Sequence, residues 1–295
     1  MSGWGDKRTV AGLGLGAVAV VAIALALNSG RSGAASALGS AAVGEARQAS
    51  LTLDVPPAAA NRIYAGSNAA GRPIVVIDAG HGGHDPGAIS VSGEIKEKAL
   101  TLALAQELRD RLVERGRVRI VMTRDDDRYL TLEDRTAVAR RLGASLFLSI
   151  HTDSAPNPLA RGATVYSLSD VASDAEAARL AAVENSGIPM VRQSDGSVRA
   201  ILADLAMRSE MGSSAAFAGR LVKRSAGRFE LRPEPHRFAA FHVLRRAEAP
   251  AVLFEAGYIS NADDELLLRS PEHRSAIVLA LAQAIEADVA SRLRR

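Results

Sequence analysis

The stretch VVIDAGHGGHDPGAIS, Val75 to Ser90, limits the fold more than any other part of the chain. It opens as an apolar strand and breaks within a dozen residues into four glycines, a proline and two histidines. The segment that follows, EKALTLALAQELRDRLVERG, spaces Leu100, Leu104, Leu108 and Leu112 four residues apart. That spacing puts them on one helical face, and Gly116 stops the helix. A buried strand feeding a glycine-rich loop and then an amphipathic helix is the repeating unit of layered α/β folds.

The rest of the chain keeps this alternation. RVRIVMT, SLFLSIH, GATVYSLS and VLFEAGY read as strands. Thr131-x-x-Asp134 is a capping box that opens a helix running to about Leu142. Further helices are predicted over Ser173 to Glu184, Val198 to Lys223, and Pro271 to about Leu293. The expected architecture is α/β with a largely parallel sheet. No cysteine is present, which excludes disulfides, thiol nucleophiles and thiolate metal sites. A net charge of +3 is too weak to argue for nucleic acid.

The N-terminus has a different character. Asp6, Lys7 and Arg8 precede an uncharged apolar run, Val10 to Leu27, and Ala35-Ser36-Ala37 offers the small-x-small pattern of a signal peptidase site. Residues 1–37 are therefore expected to be a signal peptide, or, uncleaved, an inner-membrane anchor. Export places the protein in the periplasm. Residues 38–72, rich in Ala, Gly and Ser, read as a flexible linker.

In parallel sheets ligands bind beyond the carboxyl ends of the strands. Those ends hold the chemistry here. Asp78 and His81 follow the first strand, His151 ends the third, and Glu255 ends the late one. Glu94 and Glu97 stand where the first helix opens. Two imidazoles and a carboxylate are a common catalytic zinc set that leaves a position for water. A further carboxylate outside the ligand set can move that water's proton. Spacing alone does not decide which glutamate would be the ligand.

In order along the chain, DAGHGGHDPGA, the Glu97-Lys98 pair, SIHTDS and PAVLFEAGYISN resemble the four signature blocks of the zinc-dependent N-acetylmuramoyl-L-alanine amidases of the Amidase_3 type, which are bacterial cell-wall enzymes. MTRDDDRYLTLEDRTAVAR, GATVYSLS and FHVLRRAEAP agree with that resemblance, which runs from about Pro73 to the C-terminus. It implies a single catalytic domain, residues 73–295, built as a three-layer α/β/α fold on a mixed, largely parallel sheet of about six strands. It implies one Zn2+ held by His81, Glu97 and His151, with Glu255 as the catalytic acid–base. The implied reaction is hydrolysis of the amide between N-acetylmuramic acid and L-alanine in peptidoglycan, for cell-wall remodelling or daughter-cell separation. Glu94 is then a solvated loop residue and His84 a rim or substrate contact. Asp78 either holds a ligand histidine or braces the turn, and Asn261 caps or turns the chain after the last strand. His236, His242 and His273 have no motif support, and His273 is expected at the surface.

The resemblance also implies a form of control. The division amidases of Gram-negative bacteria carry an inserted helical segment that covers the zinc until an activator displaces it. Here residues 185–238 are where such a regulatory insertion would lie, and a periplasmic activator protein would open it. Glu184, Asp195, Asp204 and Glu210 are each candidates to plug the metal; the other reading makes this region a plain wall of the substrate groove. Two other functions compete with the amidase: a zinc peptidase acting on stem peptides, and a non-catalytic peptidoglycan-binding regulator. No arginine in the sequence stands out to hold a terminal carboxylate, as a carboxypeptidase would require. The presence of all four site residues argues against the regulator.

Overall fold

In the computed structural model, which describes residues 61–186 and 198–293, the first strand, glycine loop and first helix form as the sequence predicts. The expected signal or anchor, residues 1–37, and the first part of the expected linker lie outside the described residues. Among those described, no helix is long and apolar enough to cross a membrane.

A seven-stranded sheet organises the fold. Its strands are β1 (Ile63–Tyr64), β2 (Ile74–Ala79), β3 (Arg119–Met122), β4 (Leu146–Asp153), β5 (Ala163–Leu168), β6 (Leu231–Ala239) and β7 (Ala251–Tyr258). Their order is β1-β3-β2-β4-β7-β5-β6. The four central strands β3, β2, β4 and β7 run parallel, and β1 and β5 pair antiparallel to their inner neighbours. The sheet is thus mixed and largely parallel, with seven strands where about six were expected. The two strands that no predicted segment covers, β1 and β6, are at the edges. β1 falls inside the expected linker, so the linker is shorter than 38–72 and the fold begins before Pro73. β6 contains Pro233 and Pro235, which remove backbone donors and are tolerated on an edge strand.

Alternation along the strands sends side chains into two layers. On one face Val75, Ile77, Leu148, Ile150 and Phe254 meet α1 (Glu97–Arg115), the C-terminal half of α4 (Val198–Ser225) and α7 (Pro271–Arg292). The four leucines of the α1 stripe are buried there, each worth about 2 kcal/mol of transfer free energy. On the other face Val76, Phe147, Tyr166 and Leu253 meet α2 (Leu132–Leu142), α3 (Ala175–Glu184) and the short α5 (His242–Arg245). Gly116, left-handed at φ 65°, ends α1, and Thr131 and Asp134 close the capping box that opens α2. Asn261 caps α6 (Ala262–Arg269) by accepting from the amides of Asp263 and Asp264.

The stretch 185–238 is not uniform. In α4, Ile201, Leu202 and Leu205 are exposed, whereas Phe217, Ala218 and Leu221 are fully buried in the core. Ser214 accepts the amide of Ala251 at the start of β7. The second half of α4 and all of β6 are therefore part of the domain itself, and any regulatory insertion is confined to the portion before Ser214. His273 is half-buried beside Phe229 instead of lying free on the surface.

Candidate functional site

The glycine loop is shaped by the start of α1. Lys96 makes no side-chain cap, so the first free amides of the helix use the loop: Glu97 N–H donates to Ala88 O and Lys98 N–H to Pro86 O. This draws the loop onto the helix end and sets Glu97 beside His81. Two glycines make the closeness possible. A Cβ at Gly80 would sit 2.5 Å from the His151 ring, and one at Gly87, whose φ is 64°, would sit 2.6 Å from Glu97 Oε2.

His81, Glu97 and His151 each bring a potential ligand atom within 4.8 Å of the other two. His81 Nε2 lies 3.1 Å from Glu97 Oε2, and His151 Nδ1 lies 3.1 Å from Glu97 Oε1. Ligand atoms around one tetrahedral zinc stand about 3.3 Å apart. His81 Nε2 is buried and, despite its nearness to Glu97, is not aligned for a hydrogen bond. Its other nitrogen, Nδ1, is held by Asp85 Oδ2 at 2.9 Å, the kind of outer contact that orients a ligand imidazole. Glu97 is anchored by the amides of Ala88 and Thr152, at 2.8 and 2.9 Å. The donor set, its spacing and its outer contacts all fit a divalent ion.

The electrostatics agree. Burial would lower the His81 pKa, but Glu97, Asp85 and Glu184 outweigh it and push it up to about 11. Burial would raise the Glu97 pKa, but the two imidazoles hold it well below the usual carboxylate range. An imidazolium cannot ligate, so a metal must displace a proton from His81.

A second carboxylate reaches the same cluster. Glu184, the last residue of α3, places Oε2 3.9 Å from His81 Nε2 and 3.4 Å from His151 Nδ1. Burial is the chief cause that raises its pKa. Asn185 fixes this helix end by donating to Ala240 O at 2.8 Å and accepting the His242 amide at 2.7 Å. Of the four candidates to plug the metal, Glu184 is the one at the site. Asp204 pairs with Arg208 in α4, Glu210 lies half-buried with Glu248 as its charged neighbour, and Asp195 is outside the described residues.

Glu255 on β7 stands in register with His151 on β4. It is 1% exposed and neither oxygen accepts a hydrogen bond from the protein. Burial, then repulsion from Asp153, Glu97 and Glu184, raises its pKa well above the ordinary value, with Arg179 opposing. Tyr166, on the adjacent β5, presents a buried hydroxyl to the same polar floor. Glu94 is away from the cluster, paired with Arg269 at the surface. His84 is exposed at the rim and stacks on Tyr129, centroids 4.0 Å apart.

Asp78 braces the strand end and does not hold a histidine. It accepts from Thr123 at 2.7 Å, Ser149 at 2.8 Å and Arg135 at 2.9 Å. Arg135 also donates to the carbonyls of Ala79 and His81, and Arg124 to those of Ala79 and Gly80. These buried arginines hold the backbone of the His81 turn, where His81 itself adopts φ 60°. The TRDDDRYLTLEDR block contains both, but its pattern does not express their role. Removing one partner strands the other's charge, so Arg135→Met is expected to cost about 3–5 kcal/mol, read from the denaturant midpoint. Burial would raise the Asp78 pKa, but Arg135 and the hydroxyls bring it below 3.8. The stabilisation is thus present above that value and lost as pH falls through the folded-state pKa. Asp78→Asn should flatten the acid side of the stability profile in melts between about pH 7 and 3.

Known proteins resemble this chain in sequence and fold. The N-acetylmuramoyl-L-alanine amidase family profile, Amidase_3, matches residues 75–287. The amidase AmiA of Escherichia coli K12 is 35% identical over 220 residues, covering 73% of this chain and 75% of AmiA. AmiC of Neisseria meningitidis is 33% identical, covering 73% of this chain and 52% of AmiC. Among solved structures, the catalytic domain of the amidase CwlV from Bacillus (Paenibacillus) polymyxa superposes with a TM-score of 0.52 at 28% identity, covering 72% of this chain and 96% of that domain. The Mycobacterium smegmatis amidase Ami1 shares the fold at TM-score 0.57 and 24% identity, covering 76% of this chain and all of that one. With the profile spanning well over half of its length, the chain belongs to the N-acetylmuramoyl-L-alanine amidase family.

Proposed function

We propose that this protein hydrolyses the amide between N-acetylmuramic acid and L-alanine in peptidoglycan, with one Zn2+ held by His81, Glu97 and His151. The observation that carries the reading is the convergence of those three residues from the loop after β2, the first turn of α1 and β4, with Glu255 in register beside His151. Zinc bound there would supply Lewis acidity toward the scissile carbonyl and lower the pKa of a water. Glu255 is the residue to accept a proton from the attacking water and to return one to the leaving amine of L-alanine. Asp85 orients His81, and Arg124 and Arg135 hold the turn that presents it. Asp85→Asn is expected to weaken zinc binding about 10–100-fold, measured by competition with a chelating dye.

In the conformation described, Glu184 occupies the metal cluster, which supports an autoinhibited enzyme. The inhibitory element is the C-terminal end of α3, and a periplasmic activator would act by withdrawing it. Export by residues 1–37, cleaved or retained as an anchor, brings the enzyme to its substrate.

The test digests isolated peptidoglycan with the zinc-loaded full chain carrying Glu184→Ala and analyses products by mass spectrometry. Free stem peptides beginning with L-alanine support the amidase. Peptides shortened internally support the peptidase, and intact peptidoglycan supports a binding role.

A further inference from the structure

The N-terminal end of α3 is held as firmly as its C-terminal end, and by a carboxylate site. Glu176 receives a two-pronged contact from Arg232 on β6, Nη1 to Oε1 at 2.7 Å and Nη2 to Oε2 at 3.0 Å. The Tyr258 hydroxyl donates to the same Oε1 at 2.9 Å, and Arg237 Nη1 stands 3.5 Å from Oε2. Arg237 also pairs with Asp174, and its buried Nε has no protein partner. Arg237 is 7% exposed and Tyr258 fully buried. Fork-on-carboxylate geometry with an added hydroxyl is how proteins bind a planar acid. The receiving side chains belong to the sheet. The acid belongs to the same helix whose far end reaches the metal cluster.

We propose that Arg232, Arg237 and Tyr258 form a subsite for a stem-peptide carboxylate, which Glu176 of α3 occupies in the closed state. This rests on the amidase reading above and names what that enzyme grips beyond the scissile bond. Eight residues separate Glu176 from Glu184, about 12 Å along a helix. An extended peptide advances about 3.3–3.6 Å per residue, so the subsite falls three to four residues from the scissile amide. Uncrosslinked tetrapeptide stems whose third residue is a diaminodicarboxylic acid carry free carboxylates at their third and fourth residues. An exopeptidase would need its arginine about one residue from the bond, so this pair does not fit that reading. When α3 withdraws, two largely buried guanidinium groups lose their partners, and an acidic stem replaces them.

The test uses the zinc-loaded full chain with Glu184→Ala and Glu176→Ala, so that α3 neither plugs the cluster nor fills the subsite. Its substrates are glycan fragments with tetrapeptide stems whose third- and fourth-residue carboxylates are either free or amidated. The free-acid form is expected to have at least about tenfold higher kcat/KM, carried mainly by KM. Adding Arg232→Gln and Arg237→Gln should bring the ratio of the two substrates close to one. Equal rates before those changes, or a preference that survives them, would overturn the subsite. Arg232→Gln alone, with thermal melting as a check on folding, covers the case in which the double change unfolds the edge strand. Glu176→Gln in the chain that keeps Glu184 should lower KM for the acid form severalfold, and an unchanged KM overturns the masking by α3. Cleavage of neither substrate overturns the amidase reading and the subsite with it.

Discussion

Glu184→Ala is expected to raise basal peptidoglycan hydrolysis by the zinc-loaded full chain by at least about tenfold, and by up to about a hundredfold if the closed state is 99% populated. A carboxylate oxygen 3.4 Å from His151 Nδ1 takes space that water and the scissile carbonyl both need. Alanine removes the oxygen and leaves α3 anchored through Glu176 and Asn185, so the gain reports the plug and not a lost helix. Dye release from labelled peptidoglycan measures it. An unchanged rate would mean that the end of α3 is only a wall of the groove.

Glu255→Gln is expected to lower the rate by about a thousandfold or more in that activated background, while zinc stoichiometry stays at one. Glutamine keeps the shape and cannot exchange a proton. The side chain makes no hydrogen bond with the protein, so the change strands no buried partner and the melting temperature should hold. Loss of zinc along with activity would instead make Glu255 a ligand. The closed conformation also works against this residue: Glu184 is one of the charges that raise the Glu255 pKa, so withdrawing α3 would both open the cluster and ease Glu255 toward its basic form.

What the sequence disclosed follows physical lines. The α1 leucine stripe, the capping box at Thr131 and the apolar strands are local signals, and each forms where its pattern lies. Topology puts His81, His151 and Glu255 at one rim with Glu94 and Glu97 at the helix start; the choice of Glu97 over Glu94, and the role expected of each residue, comes from the family resemblance. β6 was hidden by Pro233 and Pro235, whose penalty applies to central strands and not to edges. β1 is two residues long, too short for any period. Glu184 ends AEAARLAAVE, an ordinary amphipathic helix; only packing decides that its last residue meets the imidazoles. The same holds for Asp85, Arg124 and Arg135, whose partners are backbone carbonyls, a histidine or the Asp78 carboxylate brought near by the fold.

Because α3 is joined in the chain to β5 on one side and α4 on the other, an inhibitory α3 would never be diluted. Short tethers of this kind hold a ligand at millimolar effective concentration. Free muropeptides in the micromolar range would compete poorly with it, however well they fit. A polymeric wall presenting stems at comparable local density, or a partner protein that binds α3 itself, can tip the balance. Activity would then respond to where the enzyme is held and not to how much product surrounds it.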